Sequence, residues 1–174
     1  SMAAKELKFH EEARRGLDYW LSRLSGELPV LALPGKSPGP ADTTMRRPRS
    51  LRGDEHRLVI SPAAREAAVR LASEEGLTLY TLLLAAYNVL LLRYTNQEDL
   101  PIGTPTSGRT TADVEEIVGY FVNPVVMRTD LSGDPPFRLL LERVRVTVTE
   151  ALEHQEVPFP LLVEKLGPRR GPGG

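Results

Sequence analysis

Apolar residues recur at steps of three and four between Lys5 and Leu24, at Phe9, Ala13, Leu17, Trp20, Leu21 and Leu24, which predicts an amphipathic helix with one stripe to cover. No periodicity survives across residues 26–54, where Pro and Gly are frequent and Arg46-Arg47-Pro48-Arg49 forms a basic group; this reads as an extended connection. The short β-branched run Arg57-Leu58-Val59-Ile60-Ser61 predicts a strand, and Ser61-Pro62 an N-cap with proline at the first helical position. The helix over 62–75 carries Ala64, Ala68, Leu71 and Ala72 on one face and stops at Gly76. The next, over 79–94, is apolar almost all round and predicts a central, buried helix.

Leu100 to Pro105 is short and extended, because its two prolines forbid a regular helix and suit a sheet edge. A polar loop over 106–113 and one helical turn over 114–118 lead to a strand over Phe121–Leu131. There Val122, Pro124 and Val126 face one way, and Val125, Met127 and Thr129 the other. Beyond Asp134-Pro135, the positions Phe137, Leu140, Leu141, Val144, Val148, Ala151 and Leu152 keep helical spacing, and a short helix over 159–166 follows Pro158. This order predicts an α/β (α+β) chain, a small mixed sheet of about three strands covered by helices. Its parts are an amphipathic helix over 1–25, a connection over 26–54, a core over 55–166 and a flexible tail over 167–174. An open sheet of that size leaves edges for another part of the same protein or another copy to cover.

The 174 residues suffice for one core, and a net charge of −1 supplies no field to gather nucleic acid or an anionic membrane. The longest apolar run, Leu82 to Leu92, is interrupted by Asn88 and is far shorter than the ~20 residues of a spanning helix. Cysteine is absent, which excludes disulfides and thiolate chemistry and agrees with a cytoplasmic location. The sequence shows no secretory signal, and Ser1-Met2 reads as a remnant ahead of an internal segment.

Candidate chemistry is sparse. Gly103-Thr104-Pro105-Thr106-Ser107-Gly108-Arg109 could cradle an anion through its glycines and Arg109, but it lacks the lysine and spacing of a phosphate loop, and an ordinary tight loop is the stronger reading. Asn123 could present its amide to a substrate or complete a backbone hydrogen bond, the second being favoured. His154 is read as the cap of the long helix rather than a base, since no nucleophile set accompanies it. His10 and His56 lack metal-ligand spacing, Glu74-Glu75 and Glu115-Glu116 read as solvated faces, and Trp20 as a helix anchor. No catalytic, metal or cofactor residue is assigned.

Several of these stretches together resemble the condensation domains of nonribosomal peptide synthetases. They are Tyr19 to Gly26 with Leu31 to Pro34, then Leu90 to Asp99, Gly103 to Arg109, Ile117 to Arg128 and His154 to Pro160, in the family's order. The fourth is similar to "(I/V)GxFVNTxxxR" with Pro124 in place of threonine, and the fifth to "HQDxPFE" with Pro160 in place of the final glutamate. The resemblance implies a chloramphenicol-acetyltransferase-like fold, of which this chain is the first part of the second lobe. It also implies a tunnel that takes substrates on carrier proteins. None of His10, His56 or His154 matches the catalytic "HHxxxDG", and the later "RDxSRNPL" and "DFGWG" are not in the chain.

The resemblance sets the expectations for function. The segment is noncatalytic by itself and serves a nonribosomal peptide or hybrid polyketide/peptide assembly line as a structural, docking or dimerisation element; alternatively it is a portion of an active amide-forming condensation enzyme that needs the HHxxxDG lobe. Tunnel or interface residues by resemblance are Gly103, Thr104, Arg109, Gly119, Phe121, Asn123, Arg128, His154, Gln155, Pro158 and Phe159. Phosphopantetheine-bound substrates are expected only for the complete parent. Neighbouring synthetase domains, carrier proteins and a second copy are the expected partners, with no nucleic acid and no membrane.

Overall fold

The computed structural model describes residues 2–34, 54–109 and 117–167. Its elements run α1 (Met2–Arg23), α2 (Pro62–Glu74), α3 (Leu79–Thr95), β1 (Asp99–Thr106), β2 (Asn123–Asp130), α4 (Phe137–Glu153) and α5 (Phe159–Leu166). The Arg46–Arg49 group with most of the expected connection, residues 110–116 of the expected loop and helical turn, and residues 168–174 of the tail expected over 167–174 lie outside the described residues.

Helix boundaries follow local chemistry. The Ser61 side chain accepts from the Ala64 amide and Pro62 opens α2; the Thr78 side chain accepts from the Thr81 amide at the start of α3. Asn96, with φ of 55°, ends α3 in the left-handed conformation. The helix expected at Asp134-Pro135 begins at Phe137 instead, after Pro136.

The sheet differs from expectation. Among the described residues it has two strands, β1 and β2, paired antiparallel from Asp99 opposite Asp130 to Thr106 opposite Asn123. Residues 57–61 form no strand: they carry no regular structure, with Leu58 79%, Val59 84% and Ile60 57% exposed. Their β-branched pattern is that of a strand, but no neighbouring strand among the described residues meets them, and a strand exists only by pairing. Phe121, Val122 and Leu131 also fall outside β2.

Val125, Met127 and Thr129 of β2 are buried together with Leu131, as the alternation predicts. They meet Leu140, Leu141, Val144, Val148 and Ala151 of α4, while Trp20 of α1 and Leu24 just after it join the same cluster. Phe137 and Leu152 of the predicted α4 stripe are exposed, as is Ala13 of α1. In α2 only Ala72 is buried and Ala64 is exposed, so its alanine face is used at one end alone.

Helix α3 departs most from its sequence. Its composition predicts burial all round, yet it buries only Thr81, Leu82, Leu84, Ala85, Asn88 and Leu91 and leaves Leu83, Tyr87, Leu90 and Tyr94 in solvent. An all-apolar helix signals contacts on every side; the described residues supply them on one. Asn88, which breaks the apolar run, is fully buried with its Nδ2 3.5 Å from Thr129 Oγ1.

Candidate functional site

The residues singled out by sequence come together where α1, β2 and the α4–α5 connection meet. Asn123, the first residue of β2, places its carboxamide against the chain over 155–159. Its Nδ2 donates to the carbonyls of Gln155 and Val157, both at 2.8 Å, and its Oδ1 accepts from the Phe159 amide at 3.0 Å. Three of the four hydrogen bonds a carboxamide can make thus go to one turn of backbone. That turn is irregular and would otherwise leave these groups unmatched, so Asn123 substitutes for secondary structure. The bond is to backbone, as favoured, but it crosses 32 to 36 residues rather than being local.

The same turn is held from the other side by α1. Trp20, 2% exposed, donates its indole N–H to the His154 carbonyl at 2.8 Å. Gly16 sits one helical turn earlier, where an added Cβ would lie 2.7 Å from Val157 Cγ2, so only glycine lets the helix approach this closely. His154 is the C-cap of α4, and its imidazole stacks on Tyr19 with ring centroids 4.3 Å apart. The Tyr19 hydroxyl donates to Glu150 at 3.4 Å. Burial, reinforced by the Glu150 charge, pushes Tyr19 up to about 12. Gln155 closes α4 through its Nε2, which donates to the Leu152 carbonyl, and Pro158 occupies the N-cap of α5.

Arg109 and Phe121 form a second joint. The guanidinium lies 4.5 Å from the Phe121 ring centroid and donates to the Ile117 carbonyl at 2.9 Å. Gly108, with φ of +64°, passes so close to Phe121 that an added Cβ would fall 1.7 Å from its carbonyl oxygen. At Gly119 an added Cβ would meet the Phe121 ring at 3.1 Å. Gly108 of the expected anion loop therefore serves chain packing, and Arg109 is engaged within the fold.

Arg128 forms the third. It grips Asp99 in two-pronged fashion, at 2.9 Å through Nε and 2.6 Å through Nη2, and its Nη1 donates to the carbonyls of Arg23 and Ser25 at the end of α1. The bond to Asp99 raises its pKa further. Arg23 returns the contact, donating to the Arg128 carbonyl and to Thr147 of α4. Gly103 and Thr104 stand apart on β1: Gly103 is exposed with open space beside it, and the Thr104 hydroxyl bonds that of Tyr80.

Sequence reasoning marks Asn123, His154, Gln155, Pro158 and Phe159 of the first joint, Arg109, Gly119 and Phe121 of the second and Arg128 of the third, and misses Gly16, Arg23, Asp99 and Gly108 as a close-approach position. A glycine inside an amphipathic helix pattern, as at Gly16, is the available signal. The pairing of Asp99 with Arg128 follows only from strand register, which places Pro101 opposite Arg128 and Asp99 two residues away on the same face. Chemically, these joints hold backbone in place, and His154 has an aromatic ring rather than a nucleophile beside it. Among the described residues no three carboxylates or imidazoles are placed to hold a metal ion, and no single helix is long and apolar enough to cross a membrane.

Comparison with known proteins gives this scaffold its place. A linear gramicidin synthase from Brevibacillus parabrevis is 46% identical over 150 residues, 86% of this chain and 3% of that protein. The X-domain from teicoplanin biosynthesis, solved in complex with OxyB, superposes with a TM-score of 0.74 at 29% identity over 89% of this chain and 33% of its own. The first condensation domain of the calcium-dependent antibiotic synthetase shares the fold, with a TM-score of 0.75 at 21% identity over 95% of this chain and 35% of its own. The chain thus spans about a third of the solved domains and a few per cent of the synthase. With the Condensation domain family matching residues 3–172, the chain belongs to the condensation-domain family and carries a part of its fold.

Proposed function

We propose that this chain is a noncatalytic structural segment of a nonribosomal-peptide condensation domain, the scaffold of the second lobe of an amide-forming enzyme whose chemistry resides in an HHxxxDG lobe. The observation that carries this is the unfinished sheet. Two strands present open edges while Leu58, Val59 and Ile60 stand exposed outside any regular element, a strand-like run without a strand to pair with among the described residues. The three histidines of the chain are isolated in sequence, and His154 is used as a helix cap against Tyr19. Phosphopantetheine arms of carrier proteins are then substrates of the joined enzyme, with neighbouring synthetase domains as its partners.

The test is an amide-forming assay with carrier-bound aminoacyl substrates, run with this chain alone and with the chain joined to an HHxxxDG-bearing lobe. Turnover is expected only from the joined protein; amide formation by the chain alone overturns the proposal. A second reading, a docking module, draws support from the teicoplanin X-domain, a similar fold solved in complex with another protein. It predicts that this chain alone binds an intact neighbouring synthetase domain in calorimetry, and absence of heat at 100-fold excess removes it.

A further inference from the structure

Leu131 donates its amide to the Glu98 carbonyl, in register with the ladder that pairs Asp99 with Asp130. In an antiparallel pair, residues that bond across alternate with residues whose backbone groups point away. Leu100, Ile102 and Thr104 therefore face β2, while Asp99, Pro101, Gly103 and Pro105 turn their backbone to the outer edge. Pro101 and Pro105 have no N–H, so this edge cannot complete a regular ladder with a further strand.

A segment without regular structure nevertheless lies beside it: Pro29 and Leu31 line one groove with Asp99, Pro101 and Ile102 of β1 and Tyr87 of α3. What holds the segment is a side chain. Gln97 Nε2 donates to the Val30 carbonyl at 3.0 Å, and Gln97 Oε1 accepts from the Ala32 amide at 2.9 Å. A carbonyl and the amide two residues on are the groups that one residue of a parallel strand engages, and the carboxamide supplies both partners at once. Gln97 is itself fixed, its amide donating to Thr95 Oγ1 just ahead of β1. At the other end Arg128 holds the Ser25 carbonyl, and Gly26 follows with φ of +79° and open space around it. Between these fixings Leu28, Val30, Leu31 and Leu33 are 39%, 76%, 41% and 46% exposed, so burial adds little to the hold.

We propose that residues 27–33 are a strap that opens from and closes over the groove beside β1, with Gln97 as its latch and Gly26 as its pivot. Two hydrogen bonds in contact with water keep it shut, which favours the closed form by roughly ten- to a hundredfold. The strap works within this chain, whether or not the joined domain is catalytic.

Amide exchange of the 174-residue chain, followed by NMR, tests the latch. The Ala32 amide should exchange more slowly than those of Leu31 and Leu33, and Gln97→Ala should speed it by roughly ten- to a hundredfold. The Leu100 and Ile102 amides, which face β2, should keep their rates. Chymotrypsin reads the strap as a whole, because prolines follow Leu28 and Leu33 and block cleavage there, leaving the Leu31–Ala32 bond. Cutting at that bond should accelerate in Gln97→Ala by the same factor as Ala32 exchange. Gln97→Glu, which keeps the acceptor and loses the donor, should fall between. Three results overturn the strap: Ala32 exchanging as fast as Leu33 in the unaltered chain, faster Ala32 exchange in Gln97→Ala without faster cutting, or Leu100 and Ile102 accelerating together with Ala32.

Discussion

Around Trp20, distant segments are tied by hydrogen bonds: the indole N–H meets the His154 carbonyl, the Asn123 amide meets three backbone groups, and Arg128 meets Asp99 and the carbonyls of Arg23 and Ser25. Around α3 a comparable stock of large side chains stands in solvent, Leu83, Tyr87, Leu90 and Tyr94 on the helix and Leu58, Val59 and Ile60 beside α2. One region is closed by cross-links between distant segments; the other is built of good helices whose outer faces await contact. Stability of this chain therefore concentrates in the closed region, because net stability is a small surplus that burial and matched hydrogen bonds provide.

The strongest way to break that comparison is Trp20→Ala. It removes a buried ring and leaves the His154 carbonyl without its donor, so a loss of about 3–5 kcal/mol is expected in urea unfolding. A loss below about 1 kcal/mol would mean that the closed region does not carry the fold. Asn123→Ala should cost about 2–3 kcal/mol by stripping partners from the Gln155 and Val157 carbonyls and the Phe159 amide. Its specific signature is faster hydrogen exchange at the Phe159 amide, with α3 amides unchanged. Gly108→Ala adds a Cβ where the Phe121 carbonyl already sits and strains a positive φ, so about 2 kcal/mol is expected. The loss should come with altered emission of Tyr120, beside Phe121 in sequence, as the loop is displaced.

What can be read from the sequence divides along the same line. The amphipathic periods of α1 and α4 and the alternation of β2 need only one buried face each, and the buried residues Leu140, Leu141, Val144, Val125 and Met127 match them. The segment 57–61 and the outer face of α3 defeat the same reasoning because apolar pattern reports what a sequence is prepared to bury, whether or not the burying partner is present in the described residues. The joints are half legible: Asn123, Arg128 and His154 stand out as residue types in a motif. Their partners do not, since backbone carbonyls and a glycine's missing Cβ leave no chemical mark in sequence.

Alkaline titration probes the closed region at one group. Tyr19 is held neutral up to about 12 by burial and by Glu150, whereas an unfolded tyrosine ionises near 10. The native state therefore keeps its proton when the unfolded state has lost it. The stabilisation is whole below about pH 10 and drains away as pH rises from 10 to about 12. Absorbance at 295 nm should show one of the five tyrosines titrating late, and Tyr19→Phe should abolish that late step and flatten the alkaline decline in stability. A late step that survives Tyr19→Phe would place the protected hydroxyl elsewhere.

The smallest effect is expected on the open side, and it is the sharpest test of the contrast. Tyr87→Ser and Leu83→Ser remove nearly as much apolar surface as a core substitution, but at side chains already 46% and 45% exposed. Each should change unfolding stability by no more than about 0.5–1 kcal/mol. The reason is that transfer free energy is gained only for area removed from water, and about half of each side chain never leaves it. A loss of about 3 kcal/mol at either position would equate the two regions and require that α3 be buried on both sides within a single copy.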